Sequence, residues 1–173
     1  MTLANRITIL RIILIPVFVI TFVQGYHPWP AVIFSFTILT DALDGFIARW
    51  KKQITPLGTF LDPMADKLLM FSSYLVAAFT GKVATWIFIV IISRDIIIVL
   101  GWYTLNMITG SIEIRPRWMS KATTIFQMGT MWFILLGLSK GFTDFLLFVT
   151  VILTIMSGLE YIYIGSKKLN NHA

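Results

Sequence analysis

Apolar residues along this chain do not alternate with polar ones. They run in stretches broken by short clusters of charge, glycine and proline, covering residues 7–23, 29–48, 67–80, 84–108, 119–138 and 142–164. Most are too long and too continuously apolar for a strand, and a helix crossing a bilayer needs ~20 such residues. The third is short unless its helix starts near Pro63, a residue suited to a first helical turn. The pattern therefore predicts an all-α, polytopic membrane protein with six transmembrane helices.

Composition narrows this further. Of the 173 residues 57% are hydrophobic and 13% charged, where a soluble domain carries about 25% charged residues. Six spans would occupy ~120 residues, which leaves no room for a separate soluble domain and makes 1–173 a single domain. The net charge of +6 is then the excess expected of loops facing anionic lipid, not the mark of a nucleic-acid binder. Its placement sets the topology. Arg6, Arg11, Arg49, Lys51, Lys52, Arg115, Arg117, Lys121, Lys167 and Lys168 fall at the ends and in alternate loops, against Lys82 and Lys140 in the others. That bias puts both termini in the cytoplasm. No small-residue cleavage pattern follows Val23, so the first stretch reads as a retained span and not a signal peptide. Cysteine is absent, which excludes thiolate metal sites and a cysteine nucleophile.

The acidic residues carry the chemistry. Asp41 and Asp44, three apart near the cytoplasmic end of the second stretch, share a helical face. Asp62 precedes Pro63 and reads as a helix N-cap, with Asp66 one turn on and on the same side. Four carboxylates at one apolar boundary must be neutralised by protons or cations. Carboxylate oxygens are hard ligands that suit Mg²⁺, Mn²⁺ or Ca²⁺, and two divalent ions would balance four charges, as in two-metal phosphoryl transfer. Gly45 and Ala48 make a small face beside these acids, for close approach of a bulky ligand or for helix packing. Arg49 is placed to clamp a phosphate or to mark topology.

Asp41-Ala-Leu-Asp44-Gly45-Phe-Ile-Ala48-Arg49, followed by Gly58, Asp62 and Asp66, resembles the signature D-x2-D-G-x2-A-R-x8-G-x3-D-x3-D of the CDP-alcohol phosphatidyltransferases. Asn5-Arg-Ile-Thr8-Ile-Leu-Arg11 with the Ile-Pro that follows looks like the amino end of bacterial phosphatidylglycerophosphate synthases. The resemblance implies transfer of a phosphatidyl group from CDP-diacylglycerol to an alcohol, with release of CMP, by a homodimer in the cytoplasmic membrane whose active site faces the cytoplasm. By position it implies that Asp41, Asp44, Asp62 and Asp66 bind Mg²⁺ or Mn²⁺, as two ions, with Asp66 also the general base. It places Gly45, Ala48, Arg49 and Gly58 at the cytidine diphosphate. Asn5 and Thr8 reach the nucleotide and Arg11 a phosphate, unless that segment is only an anchor.

The acceptor side is less defined. Arg94-Asp95 interrupts an apolar run, either as a mutually neutralising pair or with Arg94 binding the acceptor's phosphate. Lys121 resembles a second phosphate contact in relatives, and Arg115 and Arg117 assist it or simply sit in a solvated loop. Glycerol 3-phosphate is the favoured acceptor. Arg94-Asp95, where the glycerophosphate enzymes have Arg-Glu, together with the 115–121 segment, points instead to the CMP-forming cardiolipin synthases and phosphatidylglycerol. A cation or proton transporter is the alternative of another class. It would place its charges near the midplane and show repeats, which this chain does not. Glu160 has no assigned role.

Overall fold

Helix formation follows the apolar runs. The computed structural model describes the backbone of residues 3–51, 56–109 and 118–170, and the side chains of 7–41, 64–101 and 118–166. The described backbone forms helices α1 (Leu3–Val23), α2 (Trp29–Lys51), α3 (Pro56–Phe79), α4 (Thr85–Thr109), α5 (Trp118–Leu135) and α6 (Lys140–Asn170). All-α architecture with six helices is as expected. Among the described residues, Lys140–Ser166 is the one stretch long and apolar enough to cross a membrane by itself, while Ile7–Val23 and Trp29–Asp41 are apolar but shorter.

The largest boundary difference is in α3. The helix starts at Pro56, not near Pro63, so Asp62 and Pro63 lie inside it and Asp62 is not its N-cap. Pro56 takes the role expected of Pro63, since a proline at the first helical position has no N–H to leave unpaired. Asp62 and Asp66 remain one turn apart on a single helix.

Glycines end α1 and α3 in the same way. Gly25 has φ 70° and Gly81 φ 72°, the left-handed conformation in which a side chain is strained. The N–H groups of Gly25 and Tyr26 donate to the carbonyls of Phe22 and Thr21, at 3.2 and 3.1 Å. Those of Gly81 and Lys82 donate to Ala78 and Ala77, at 3.1 and 2.9 Å. Both patterns are Schellman motifs, which satisfy carbonyls that the helix end leaves open.

The chain divides into two compact units. The first comprises Met1–Val83 and Met131–Gly137, the second Ala84–Thr130 and Leu138–Ala173. In the first, α1 packs against α2 and α3, and Phe18 meets Phe22 and Phe34 with ring centroids 5.8 and 5.9 Å apart. In the second, α4 packs against α6. There α5 and α6 are joined by polar contacts. Gln127 Nε2 donates to Thr154 Oγ1 at 3.1 Å, and the hydroxyls of Thr130 and Thr150 are 2.8 Å apart.

The apolar core also holds polar side chains, while many large apolar ones face outward. Thr8, Arg11, Thr37, Ser73, Gln127 and Thr150 are buried, whereas Ile13, Leu39, Ile89, Ile125, Phe145 and Ile155 are exposed. Buried hydroxyls need partners, and several find them on their own helix. Thr37 donates to the Phe34 carbonyl at 2.8 Å and Ser73 to that of Leu69 at 2.5 Å.

Candidate active site

Arg11 organises the first unit's polar core. Its side chain is wholly buried, on the face of α1 that packs against α2 and α3. A guanidinium does not give up its proton in a protein, so its charge needs an answer, and two carboxylates supply it. Nη1 lies 2.7 Å from Asp41 Oδ1 on α2 and 3.6 Å from Asp66 Oδ1 on α3. One turn before Arg11, Thr8 is fully buried. The two aspartates keep 35% and 33% of their side chains accessible, enough for each to meet a ligand as well as the arginine.

This geometry brings together one aspartate from each half of the signature. The charge balance is uneven. Among the described residues two carboxylates face this guanidinium, a formal charge of −1 from −2 and +1. A hard, accessible, net-negative oxygen set is the chemistry a divalent cation requires, so the residues fit such an ion. Among the described residues no group of three or more metal-ligating side chains is assembled. Asp44 and Asp62, with Asn5, Gly45, Ala48, Arg49 and Gly58, lie outside the described side chains, and Arg115 and Arg117 lie outside the described residues.

The second unit holds its own buried arginine. Arg94 on α4 is 4% exposed. Its Nη1 donates to Asp95 Oδ1 at 2.7 Å, and its Nη2 donates to Ser120 Oγ on α5 at 2.7 Å and to Ser157 Oγ on α6 at 2.8 Å. The neighbouring acid does pair with the arginine although adjacent helical residues do not face each other squarely. Lys121 follows Ser120 in the first turn of α5 and is exposed. Gly158 lies beside the Arg94 stem, where a Cβ would make ordinary contact at 3.5 Å from Arg94 Cγ.

Sequence reasoning did not reach the bond between Arg11 and the signature aspartates, nor the two serines on Arg94. The first had a usable signal. An arginine inside an apolar helix must be neutralised, and the nearest supply of acid is the signature itself. The serines carried none, because isolated helical serines ordinarily bond their own backbone.

Comparison with known proteins agrees with the signature. The model of the family described as CDP-alcohol phosphatidyltransferase matches residues 1–156. A CDP-diacylglycerol--glycerol-3-phosphate 3-phosphatidyltransferase of Bacillus subtilis (strain 168) is 32% identical over 180 residues, covering 92% of this chain and 92% of that protein. An enzyme of the same name from Haemophilus influenzae is 35% identical over 176 residues, covering 94% and 92%. A probable CMP-forming cardiolipin synthase of Drosophila melanogaster is 32% identical over 157 residues, covering 82% of this chain and 47% of that protein, so the chain spans about half of that relative. With its signature complete and the family matched over most of its length, the chain belongs to the CDP-alcohol phosphatidyltransferases.

Proposed function

We propose that this protein transfers the phosphatidyl group of CDP-diacylglycerol to glycerol 3-phosphate, releasing CMP. The observation that carries the reading is the convergence of Asp41 and Asp66, from different helices, on one buried arginine. It leaves a net-negative, accessible carboxylate set of the kind a metal-dependent phosphoryl transfer uses. Asp41, Asp44, Asp62 and Asp66 hold two divalent ions, Mg²⁺ or Mn²⁺, which when bound neutralise the diphosphate of the donor. Gly45, Ala48, Arg49 and Gly58, with Asn5 and Thr8, bind its cytidine diphosphate.

The chain's own residues divide the remaining work. Asp66 takes the proton of the acceptor hydroxyl as its oxygen bonds to the phosphatidyl phosphorus, and the phosphorus–oxygen bond to CMP breaks. Arg11 holds Asp41 and Asp66 from behind and fixes the distance between their helices. Arg94 and Lys121, with Arg115 and Arg117, receive the acceptor's phosphate. Glycerol 3-phosphate is preferred because relatives named for it match this chain over most of their own length. Phosphatidylglycerol is the second reading, favoured by Arg94-Asp95 and by the Drosophila relative.

The enzyme is one transferase domain that spans the cytoplasmic membrane six times, with both termini and the active site on the cytoplasmic side, and it works as a homodimer. The large apolar side chains on the outer surface support this. Exposed side chains such as Ile13, Leu39 and Ile125 suit lipid or a second copy, and buried threonines and serines suit close helix packing. The test is CMP release by the purified protein in detergent. Release should require a divalent cation and an acceptor and should vanish in Asp66→Asn. Release that is unaffected by chelation would rule the mechanism out.

A further inference from the structure

Both protons of Arg94 Nη2 are given to serine oxygens, Ser120 Oγ at 2.7 Å and Ser157 Oγ at 2.8 Å. A hydroxyl has one proton and two lone pairs. Each serine therefore accepts from the guanidinium and keeps its own O–H for another partner. Among the described residues neither O–H has an acceptor. Ser157 is 3% exposed, on α6, and Ser120 is half-buried in the first turn of α5, where free backbone N–H groups favour an anion. The cation meanwhile is already answered. Asp95 takes Nη1 at 2.7 Å, so Arg94 and Asp95 carry no net formal charge. A neutralised guanidinium attracts a second anion weakly through charge alone. It still polarises the hydroxyls bonded to it, and a polarised hydroxyl is a stronger donor.

We propose that Ser120 and Ser157 are acceptor-binding residues, whose hydroxyls, held and polarised by Arg94, donate to the phosphate oxygens of the acceptor. This rests on the reading that the Arg94 cluster receives that phosphate. Lys121 supplies the charge that draws the anion in. The serines supply the geometry that separates a phosphate from other anions, because their oxygens are held on two helices by one nitrogen.

The experiment compares Ser120→Ala, Ser157→Ala, Ser157→Thr and Arg94→Gln in the full-length enzyme, varying glycerol 3-phosphate and CDP-diacylglycerol separately. Each alanine variant should raise KM for glycerol 3-phosphate about 10-fold, the loss expected for one hydrogen bond to a charged group. KM for CDP-diacylglycerol should stay put although the lost Arg94 bond lowers the thermal midpoint, and Ser157→Thr should restore the acceptor KM because it restores the hydroxyl. Unchanged acceptor KM in both alanine variants, with a raised one in Arg94→Gln, would overturn the proposal while the acceptor reading stood. A lowered thermal midpoint with both KM values moved together would also overturn it, as the signature of packing alone. An unchanged acceptor KM in Arg94→Gln would remove the acceptor site from this cluster, and the serines with it.

Discussion

Arg11 and Arg94 are both arginines buried in apolar helices, yet they are neutralised in opposite ways. Among the described residues the acids on Arg11 come from two other helices and outnumber it, two carboxylates to one guanidinium. Arg94 takes its acid from the next residue and donates its other side-chain bonds to two neutral hydroxyls, so Arg94 and Asp95 together are formally uncharged. The difference separates two tasks. A net-negative carboxylate set with accessible oxygens calls for further cations. A neutral set ending in hydroxyl donors suits the hydrogen-bonded recognition of an anion. Under the proposed function the first environment serves the donor's diphosphate and the second the acceptor.

The contrast can be broken most sharply at Asp66. If it accepts the proton, Asp66→Asn should lower CMP release about 100- to 10,000-fold, as for a lost general base, with little change in the thermal midpoint. An effect on stability without one on turnover would return Asp66 to a structural role. Arg11→Met comes next. Removing one member of a buried ion pair strands the other charges and costs about 3–5 kcal/mol, so unfolding in detergent should shift far downward, with Arg11→Lys intermediate. Wild-type stability in Arg11→Met would show that the aspartates do not depend on it.

Arg94→Gln should be selective in kinetics, although stranding the Asp95 carboxylate, 13% accessible, also lowers stability. Losing charged hydrogen bonds worth about 1.5–3 kcal/mol should raise the KM for glycerol 3-phosphate and leave that for CDP-diacylglycerol alone. Equal effects on both substrates would contradict an acceptor-specific role for Arg94. The smallest effects belong to the glycines of the second unit. A Cβ at Gly101 would fall 2.5 Å from Tyr161 Cε1 and force the ring aside, whereas at Gly158 it would meet only ordinary contact at 3.5 Å. Gly101→Ala should therefore cost about 1–3 kcal/mol by overpacking, and Gly158→Ala almost nothing, as thermal unfolding of the pair would register.

What could be read in advance follows the range of the interactions. The helices were legible because apolar runs and breaking residues are local, and the glycine after α1 ended it where the pattern stops. The start of α3 was misread because two prolines each fit a first helical turn, and only the backbone distinguishes Pro56 from Pro63. Asp41 and Asp66 were legible as a motif. Their meeting on Arg11 was not, since it joins residues on three helices through tertiary packing. Ser120 and Ser157 were invisible for the same reason, being ordinary helical serines until the fold sets them on one nitrogen.

The most direct test of the whole account offers the purified protein CDP-diacylglycerol and Mg²⁺ with glycerol 3-phosphate or phosphatidylglycerol in separate reactions, and follows both CMP and the lipid formed. The expected result is phosphatidylglycerophosphate, with stoichiometric CMP, from glycerol 3-phosphate alone. Cardiolipin from phosphatidylglycerol alone would contradict the acceptor assignment, and no CMP with any alcohol from folded protein would contradict the transferase itself.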